Sequence, residues 1–294
     1  MLAVGGMSSV DLFSGFTAVS STEVISPSAA CSSFVPPPVT RESPTSLATP
    51  TASLICGGHR PYHQACIAFN TTSLQWTNHS QLTRQRTYSS AVVLASGAYV
   101  LGGDGEDSQG TSDFLPAGST TWQRGPSLPA GGVFFGSCLV PLNSGNFLLI
   151  GGDPETTQVR EYNEITETWR DWPNLGESRV FHSCLRQSET IIVVGGQSGS
   201  SYQATTTLIH LDGSQEAAGN LSTPRSSAAM AVINGRITIF GGANENETAL
   251  ATAEVFNVLT KTWSISSDIS LQTPRFGFAL LPLPLTAEGL CSST

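Results

Sequence analysis

The chain has 294 residues, and only 12% of them are charged, against about 25% in an ordinary soluble domain. Its 22 acidic residues outnumber its 13 lysines and arginines, Lys261 is the only lysine, and the net charge is -9. With no basic cluster this balance excludes a surface built for nucleic acid, and no apolar run approaches the roughly 18 to 20 residues of a membrane span.

In chain order the first element is Leu2-Ala3-Val4, which runs into Gly5-Gly6. Five more apolar stretches end the same way, at Gly57-Gly58, Gly102-Gly103, Gly151-Gly152, Gly195-Gly196 and Gly241-Gly242. The steps between pairs are 52, 45, 49, 44 and 46 residues. A repeat of this length, holding several short strands per unit, predicts an all-β propeller spanning 1–294 as a single domain, with a short tail at 286–294.

The unit around Gly151-Gly152 gives the pattern of one blade. A strand from Val133 to Pro141 turns at Asn143 to Asn146 into Phe147 to Ile150. After the glycines a polar loop leads to Val159 to Tyr162, and a turn at Asn163 to Glu167 opens a fourth strand with Trp169. An aromatic residue stands seven positions before a tryptophan in Phe69/Trp76, Tyr162/Trp169 and Phe256/Trp263, and eight before it in Phe114/Trp122. The tryptophans supply buried area between blades. The glycines let the chain leave the strand at unusual φ and let an aromatic ring pack on bare backbone. The unit around Gly195-Gly196 has a tight turn at Asp212-Gly213 in place of the tryptophan.

The two ends complement each other. Arg275 opens Phe276 to Leu281, a first strand with no second strand after it, and Leu2 to Val4 is a second strand with no first. Pairing them closes a sixth blade and removes a free sheet edge. Met1 stands four residues before the first Gly-Gly pair, inside a strand, so the sequence reads as a piece of a longer chain.

Six cysteines are present. Cys56 and Cys66 lie on consecutive antiparallel strands, within reach of a cross-strand bridge. Cys138 and Cys184 occupy matching slots on the first strands of adjacent blades. Cys31 and Cys291 remain in the composite blade. Asn70, Asn78, Asn220 and Asn246 open N-x-S/T sequons. Cysteines and sequons together point to an oxidising, secreted setting, with the cytoplasm as the alternative.

Parity places the loops between second and third strands on the same face as the links between blades. These 2–3 loops run from Met7 to Ser21, His59 to Gln64, Asp104 to Ser112, Asp153 to Thr157, Gln197 to Gln203 and Ala243 to Leu250. The links bring Arg41, Arg86, Arg179, Arg225 and Arg275 to that face. Two roles are open to them: bidentate anchors for carboxylates of a ligand, or ties between blades through backbone carbonyls. Arg179, Arg225 and Arg275 head the list of anchors, with Phe13 and Phe16 as apolar contacts.

Motifs for chemistry are missing. There is no C-x-x-C, G-x-S-x-G, P-loop or H-E-x-x-H, and Asp104-Gly105-Glu106-Asp107 lacks the EF-hand spacing. Ser183 beside His182 is a dipeptide, not a triad. No cofactor and no metal is expected.

The apolar-Gly-Gly pairs, the following Tyr or Phe, the Trp and the later Pro-Arg or Ser-Arg resemble the kelch repeat over essentially the whole chain. More narrowly, Cys56-Gly57-Gly58 followed by Cys66-Ile67-Ala68-Phe69 is similar to the cysteine-containing, uncharacterised kelch proteins of aquatic invertebrates. The resemblance implies a six-bladed kelch-type propeller acting as a monomeric, non-enzymatic binder of a protein or glycan. It also implies two alternatives: an intracellular adaptor, as in ubiquitin ligases, or a copper oxidase like galactose oxidase. Adaptors carry BTB and BACK regions, which nothing here resembles, and use such arginines for acidic peptides. For the oxidase, Tyr62-His63 beside Cys66, with His59, lacks a second tyrosine–histidine cluster.

Overall fold

The computed structural model describes residues 1–11, 15–19, 21–25, 37, 41–50, 52–59, 64–70, 72–105, 107–129, 134–142, 145–154 and 156–282. Every regular element among them is a strand. Blade 1 comprises Thr45–Ala48, Ser53–Cys56, Cys66–Asn70 and Gln75–His79. Blade 2 comprises Ser90–Leu94, Gly97–Leu101, Ser112–Pro116 and the two-residue strand Gln123–Arg124. Blade 3 is Cys138–Pro141, Phe147–Ile150, Val159–Asn163 and Thr168–Trp172. Blade 4 is Ser183–Gln187, Thr190–Val194, Thr206–His210 and Gln215–Ala218, and blade 5 is Ala229–Ile233, Arg236–Phe240, Thr252–Asn257 and Thr262–Ser270. Each is an antiparallel sheet in simple meander order.

Blade 6 joins the two ends of the described chain. Ala279–Leu281 pairs with Leu2–Val4, Leu2 opposite Leu281 and Val4 opposite Ala279, and Thr22–Val24 lies on the far side. The inner strand is shorter than the sequence predicts. Gly277, at φ +56°, turns the chain, so Phe276 makes only an isolated bridge to Met7 and the ladder starts at Ala279. First strands of successive blades touch one another in a closed cycle, so the molecule is a six-bladed ring.

Burial explains the strand order. Second strands are sandwiched between neighbouring blades on both sides, and Phe147–Ile150 and Gly97–Leu101 are buried at every residue. Outer strands see solvent on one side and alternate, as in Gln75–His79 and Thr168–Trp172. The apolar core is divided among the blade interfaces. Leu54 and Cys56 of blade 1 pack on Val100 and Trp122 of blade 2, and Ala3 and Phe278 of blade 6 pack on Phe240 and Ala253 of blade 5.

The aromatic spacing has a geometric cause. Seven residues around the outer hairpin place Phe69 opposite Trp76, Tyr162 opposite Trp169 and Phe256 opposite Trp263, with ring centroids 4.9, 5.1 and 4.9 Å apart. The spacing of eight in blade 2 puts Gln123 opposite Phe114 instead and leaves Trp122 buried outside the strand. The indole N–H groups of Trp169 and Trp263 donate to Ser127 O and Thr206 Oγ1 of the preceding blade, both at 2.9 Å.

The paired glycines serve a different contact from the expected aromatic ring. At Gly241-Gly242, φ is +59° and +92°. A Cβ on Gly241 would stand 2.5 Å from the carbonyl oxygen of Arg275, and one on Gly242 2.8 Å from that of Ser226. What approaches is mainly backbone. The Gly242 N–H donates to Arg275 O at 2.9 Å, and the same bond recurs from Gly6 to Arg41, Gly58 to Arg86, Gly152 to Arg179 and Gly196 to Arg225. The glycines are the hinge at which one blade is bonded to the next.

Two residues beyond each of these five carbonyls the backbone is left-handed, at Ser43, Tyr88, Phe181, Ser227 and Gly277, and Gly136, two beyond Phe134, is the sixth such residue. Their amides form a closed circle. Ser43 donates to Gly277, Gly277 to Ser227, Ser227 to Phe181, Phe181 to Gly136, Gly136 to Tyr88 and Tyr88 to Ser43, at 2.7 to 3.2 Å.

Inner strands are tied again by hydroxyls. Thr45 donates to Ser89 O and Ser183 to Ala228 O, each at 2.8 Å, and Ser90 donates to Ser137 O. In blade 3 the corresponding position is Cys138, and its sulfur lies at disulfide-bonding distance from that of Cys184 in blade 4. Cys56 and Cys66 form the second such pair, directly opposite each other in the ladder. Both pairings agree with the sequence, and Cys31 and Cys291 lie outside the described residues. In the chain-entropy treatment, a separation of 46 residues contributes roughly 4 kcal/mol and one of 10 residues roughly 3 kcal/mol. Guanidinium unfolding of Cys138→Ser/Cys184→Ser is therefore expected to show a larger loss than Cys56→Ser/Cys66→Ser.

Candidate functional site

The five arginines singled out from the sequence do reach the face bearing the 2–3 loops, but they turn away from it. Their exposures are 3% for Arg41, 0% for Arg86, 1% for Arg179, 1% for Arg225 and 0% for Arg275. Each donates from Nη1 to the carbonyl of the first glycine in its own blade: Gly57, Gly102, Gly195, Gly241 and Gly5, at 2.6 to 3.0 Å. Each also reaches the carbonyl at the start of the third strand, at Ala65, Thr111, Thr205, Thr252 or Ser21. Three have buried acidic partners: Arg86 with Asp113 at 2.6 Å, Arg225 with Glu254 at 2.7 Å and Arg275 with Glu23 at 3.2 Å. The expectation of ligand anchors is corrected. The side chains tie a blade's own second and third strands together, while the arginine carbonyls bond to the preceding blade.

The buried acids are marked in the sequence by a lone carboxylate inside a strand. Each lies on a third strand opposite the residue two before the first glycine: Asp113 by Val100, Glu254 by Ile239 and Glu23 by Ala3. They accept from amides of the inter-blade links as well, Thr83, Ser222 and Gln272, at 2.6 to 2.7 Å. In blade 3 the link brings Phe134 to the arginine position, and its ring is buried with Leu128 and Leu139.

What opens at this face is a pocket of about 210 Å³ at the mouth of the central channel. Tyr88, Phe181, Tyr202 and Phe276 supply rings to it, with Met7, Gln197, Ser226 and Glu247 around them. Tyr88 and Phe181 meet edge to face at 5.2 Å, and Phe135 completes a triangle at 6.3 Å and 5.6 Å from them. Tyr202 comes from a small hairpin in the 2–3 loop of blade 4, formed by Gln197–Ser198 and Ser201–Tyr202. Its phenol is hydrogen-bonded to Ser226 and Gln197, and burial followed by the Glu247 charge pushes it above the usual tyrosine range. Burial, with Glu42 and Asp104 adding to it, likewise raises Tyr88.

Tyr88 and Phe181 have φ of +54° and +56°. The same position in the other four blades is Ser43, Gly136, Ser227 or Gly277. A bulky aromatic residue there costs roughly 1–2 kcal/mol relative to glycine. The sequence carries this as an aromatic two places after the arginine, Arg86-Thr87-Tyr88 and Arg179-Val180-Phe181.

Other expected site residues are dispersed. The loop from Met7 to Ser21 contains a hairpin, Met7–Asp11 with Gly15–Ala18, and Phe16 is in it opposite Val10. Phe13, Tyr62 and His63 lie outside the described residues. His59 stands 3.8 Å from Glu42. Asp107 pairs with Arg84 at 3.2 Å. The sequon asparagines Asn70, Asn78, Asn220 and Asn246 are all exposed.

His182 follows Phe181 and is 7% exposed, and neither ring nitrogen has a hydrogen-bond partner among the described residues. Burial first, and the Arg179 charge second, lower its pKa from 6.5 to about 3. A depressed folded-state value means that the unfolded chain binds the extra proton between these limits. Stability therefore falls as pH drops from 6.5 toward 3, by up to about 1.4 kcal/mol per unit. Phe278 occupies the matching position in blade 6, so His182→Phe is expected to remove this component. Urea unfolding of both proteins between pH 4 and 7.5 measures it, and parallel pH profiles would contradict the assignment.

These features define a six-bladed β-propeller with an aromatic channel mouth. Residues 224–268 match the Kelch motif. The solved structure titled "Structure of YjhT" is similar, at 14% identity and a TM-score of 0.71, over 90% of this chain and 97% of that one. No curated protein matches. The fold is a kelch-type propeller closed by its terminal strands.

Proposed function

We propose that the protein is a non-enzymatic recognition module holding a protein or glycan partner at the channel mouth. The observation that carries this reading is the pair of strained aromatic residues, Tyr88 and Phe181, set in a pocket with Tyr202. Structural need alone favours glycine at those backbone angles, so bulk kept there points to recognition. The kelch propeller fold is consistent with protein binding. The two cysteine pairs and the four exposed sequon asparagines support an extracellular setting.

The test is retention by an immobilised panel of extracellular proteins and glycans. Phe181→Gly/Tyr202→Ala is expected to lose about tenfold in binding to whatever the wild-type chain retains, with its melting curve little changed. Full retention by that variant would place the partner elsewhere on the ring. Non-reducing peptide mapping after secretion addresses the compartment, where free thiols at Cys56, Cys66, Cys138 and Cys184 would favour the intracellular adaptor.

A further inference from the structure

We infer that the channel mouth takes a cationic side chain, the ammonium of a lysine or the guanidinium of an arginine carried by a protein partner. This rests on the mouth being the binding face and names the chemistry that it selects.

The first argument is an account of hydrogen-bond donors. A carboxylate, sulfate or phosphate needs N–H or O–H donors. Among the described residues the backbone N–H groups around the inner circle are engaged, and the Tyr88 and Tyr202 hydroxyls are already bonded, to Ser43 and to Ser226 and Gln197. The six amides of the inner circle bond to one another. The amides of Gly6, Gly58, Gly152, Gly196 and Gly242 bond to the arginine carbonyls of the following blade. At the next level Asp104 exchanges bonds with Thr87, Gln197 with Val180, Ala243 with Ser226 and Met7 with Phe276. The arginines, which would be the natural anion grips, point into their blades and are at most 3% exposed. An anion entering here would lose its water and find little to replace it.

A cation meets the opposite situation. The half-buried rings of Tyr88, Phe181 and Tyr202 border the pocket, and the negative face of an aromatic ring attracts ammonium and guanidinium groups. The Glu247 carboxylate lies on the same pocket wall as Tyr202. Its charge is felt at the Tyr202 phenol, as those of Glu42 and Asp104 are at Tyr88 on another side of the mouth. Asp104, Glu245 and Glu247 are exposed on the surrounding loops, in a chain of net charge -9. Among the described residues, facing charges of the other sign are few: Arg84 is paired with Asp107, and His59 stands by Glu42, while Arg60 of the same loop face lies outside them. An open pocket of about 210 Å³ suits the end of one side chain, and the acidic loops around it suit a partner segment with further basic residues.

The experiment is an NMR titration of the intact chain with four capped pentapeptides, Gly-Ser-X-Ser-Gly, in which X is lysine, arginine, Nε-acetyl-lysine or glutamate. The lysine and arginine peptides are expected to perturb the signals of Phe181 and Tyr202 and to bind at least about tenfold more tightly than the other two. Glu247→Gln is expected to weaken them about fivefold. Glu189→Gln, on the turn between the first two strands of blade 4 and therefore on the opposite face, is expected to change nothing. Equal binding of the acetyl-lysine peptide overturns the inference, and so does an equal effect of Glu247→Gln and Glu189→Gln, which signals diffuse charge attraction. If cations fail to bind while panel retention still depends on Phe181 and Tyr202, the cation reading falls and the face assignment stands. If panel retention ignores those two residues, the face assignment falls and takes the cation reading with it.

Discussion

Replacing Arg225 with alanine is expected to destabilise the fold by about 3–5 kcal/mol, the loss seen when one partner of a buried ion pair is removed. Arg225 and Glu254 have fully buried side chains 2.7 Å apart. The truncation would strand Glu254 in an apolar interface with only the amides of Ser222 and Thr223 for company, at 2.7 and 3.4 Å. It would also leave the carbonyls of Gly241 and Thr252 without their guanidinium donor. Replacing both partners, as Arg225→Met/Glu254→Leu, is expected to cost less than the single change, because no uncompensated charge remains. Blade 3, where Phe134 stands in the arginine position, is the natural precedent. Guanidinium unfolding of the wild type, the single variant and the double variant measures the difference. If Arg225→Ala instead melted like the wild type and lost partner binding, the guanidinium would be a ligand anchor after all.

Deleting residues 275–294 is expected to abolish the cooperative native transition. The deletion removes Ala279–Leu281, the ladder partner of Leu2–Val4, and exposes the edge of blade 6. It takes Phe276, Phe278 and Leu281 from the buried interfaces, each worth roughly 1.5–3 kcal/mol. It leaves Glu23 buried without Arg275. Loss of Gly277 opens the amide circle at two bonds, from Ser43 and to Ser227. Together these are comparable to the roughly 5–15 kcal/mol by which a domain is stable. Size-exclusion chromatography and hydrogen exchange are expected to show an expanded, unprotected chain. A truncated protein that melted at the wild-type temperature would contradict closure by the terminal strands.

Much of the architecture was legible before any coordinates, because blades are local objects. Each consists of hairpins between residues close in sequence, so the Gly-Gly steps, the aromatic residue seven places before the tryptophan and the half-blade at each end translate directly into strand order. The cysteine pairs follow from the same frame. Cys56 faces Cys66 across one ladder, and Cys138 and Cys184 stand one register position apart on neighbouring inner strands. Parity even placed the arginines at the correct face.

Which way those arginines point is a matter of long-range contacts. A guanidinium at a loop face can reach into solvent or into its blade. The choice was made by Asp113, Glu254 and Glu23 and by the glycine carbonyls, which are 16 or more residues away in sequence along the chain. The binding mouth was hidden for the same reason. Tyr88 and Phe181 are separated by two whole blades' worth of links in sequence, yet their rings touch because the amide circle brings all six inner corners to one axis. Periodicity in the amino-acid order determined the ring, since each repeat folds against its neighbour. Only closure of the ring decided what faces its centre, since that surface is assembled from residues of several blades.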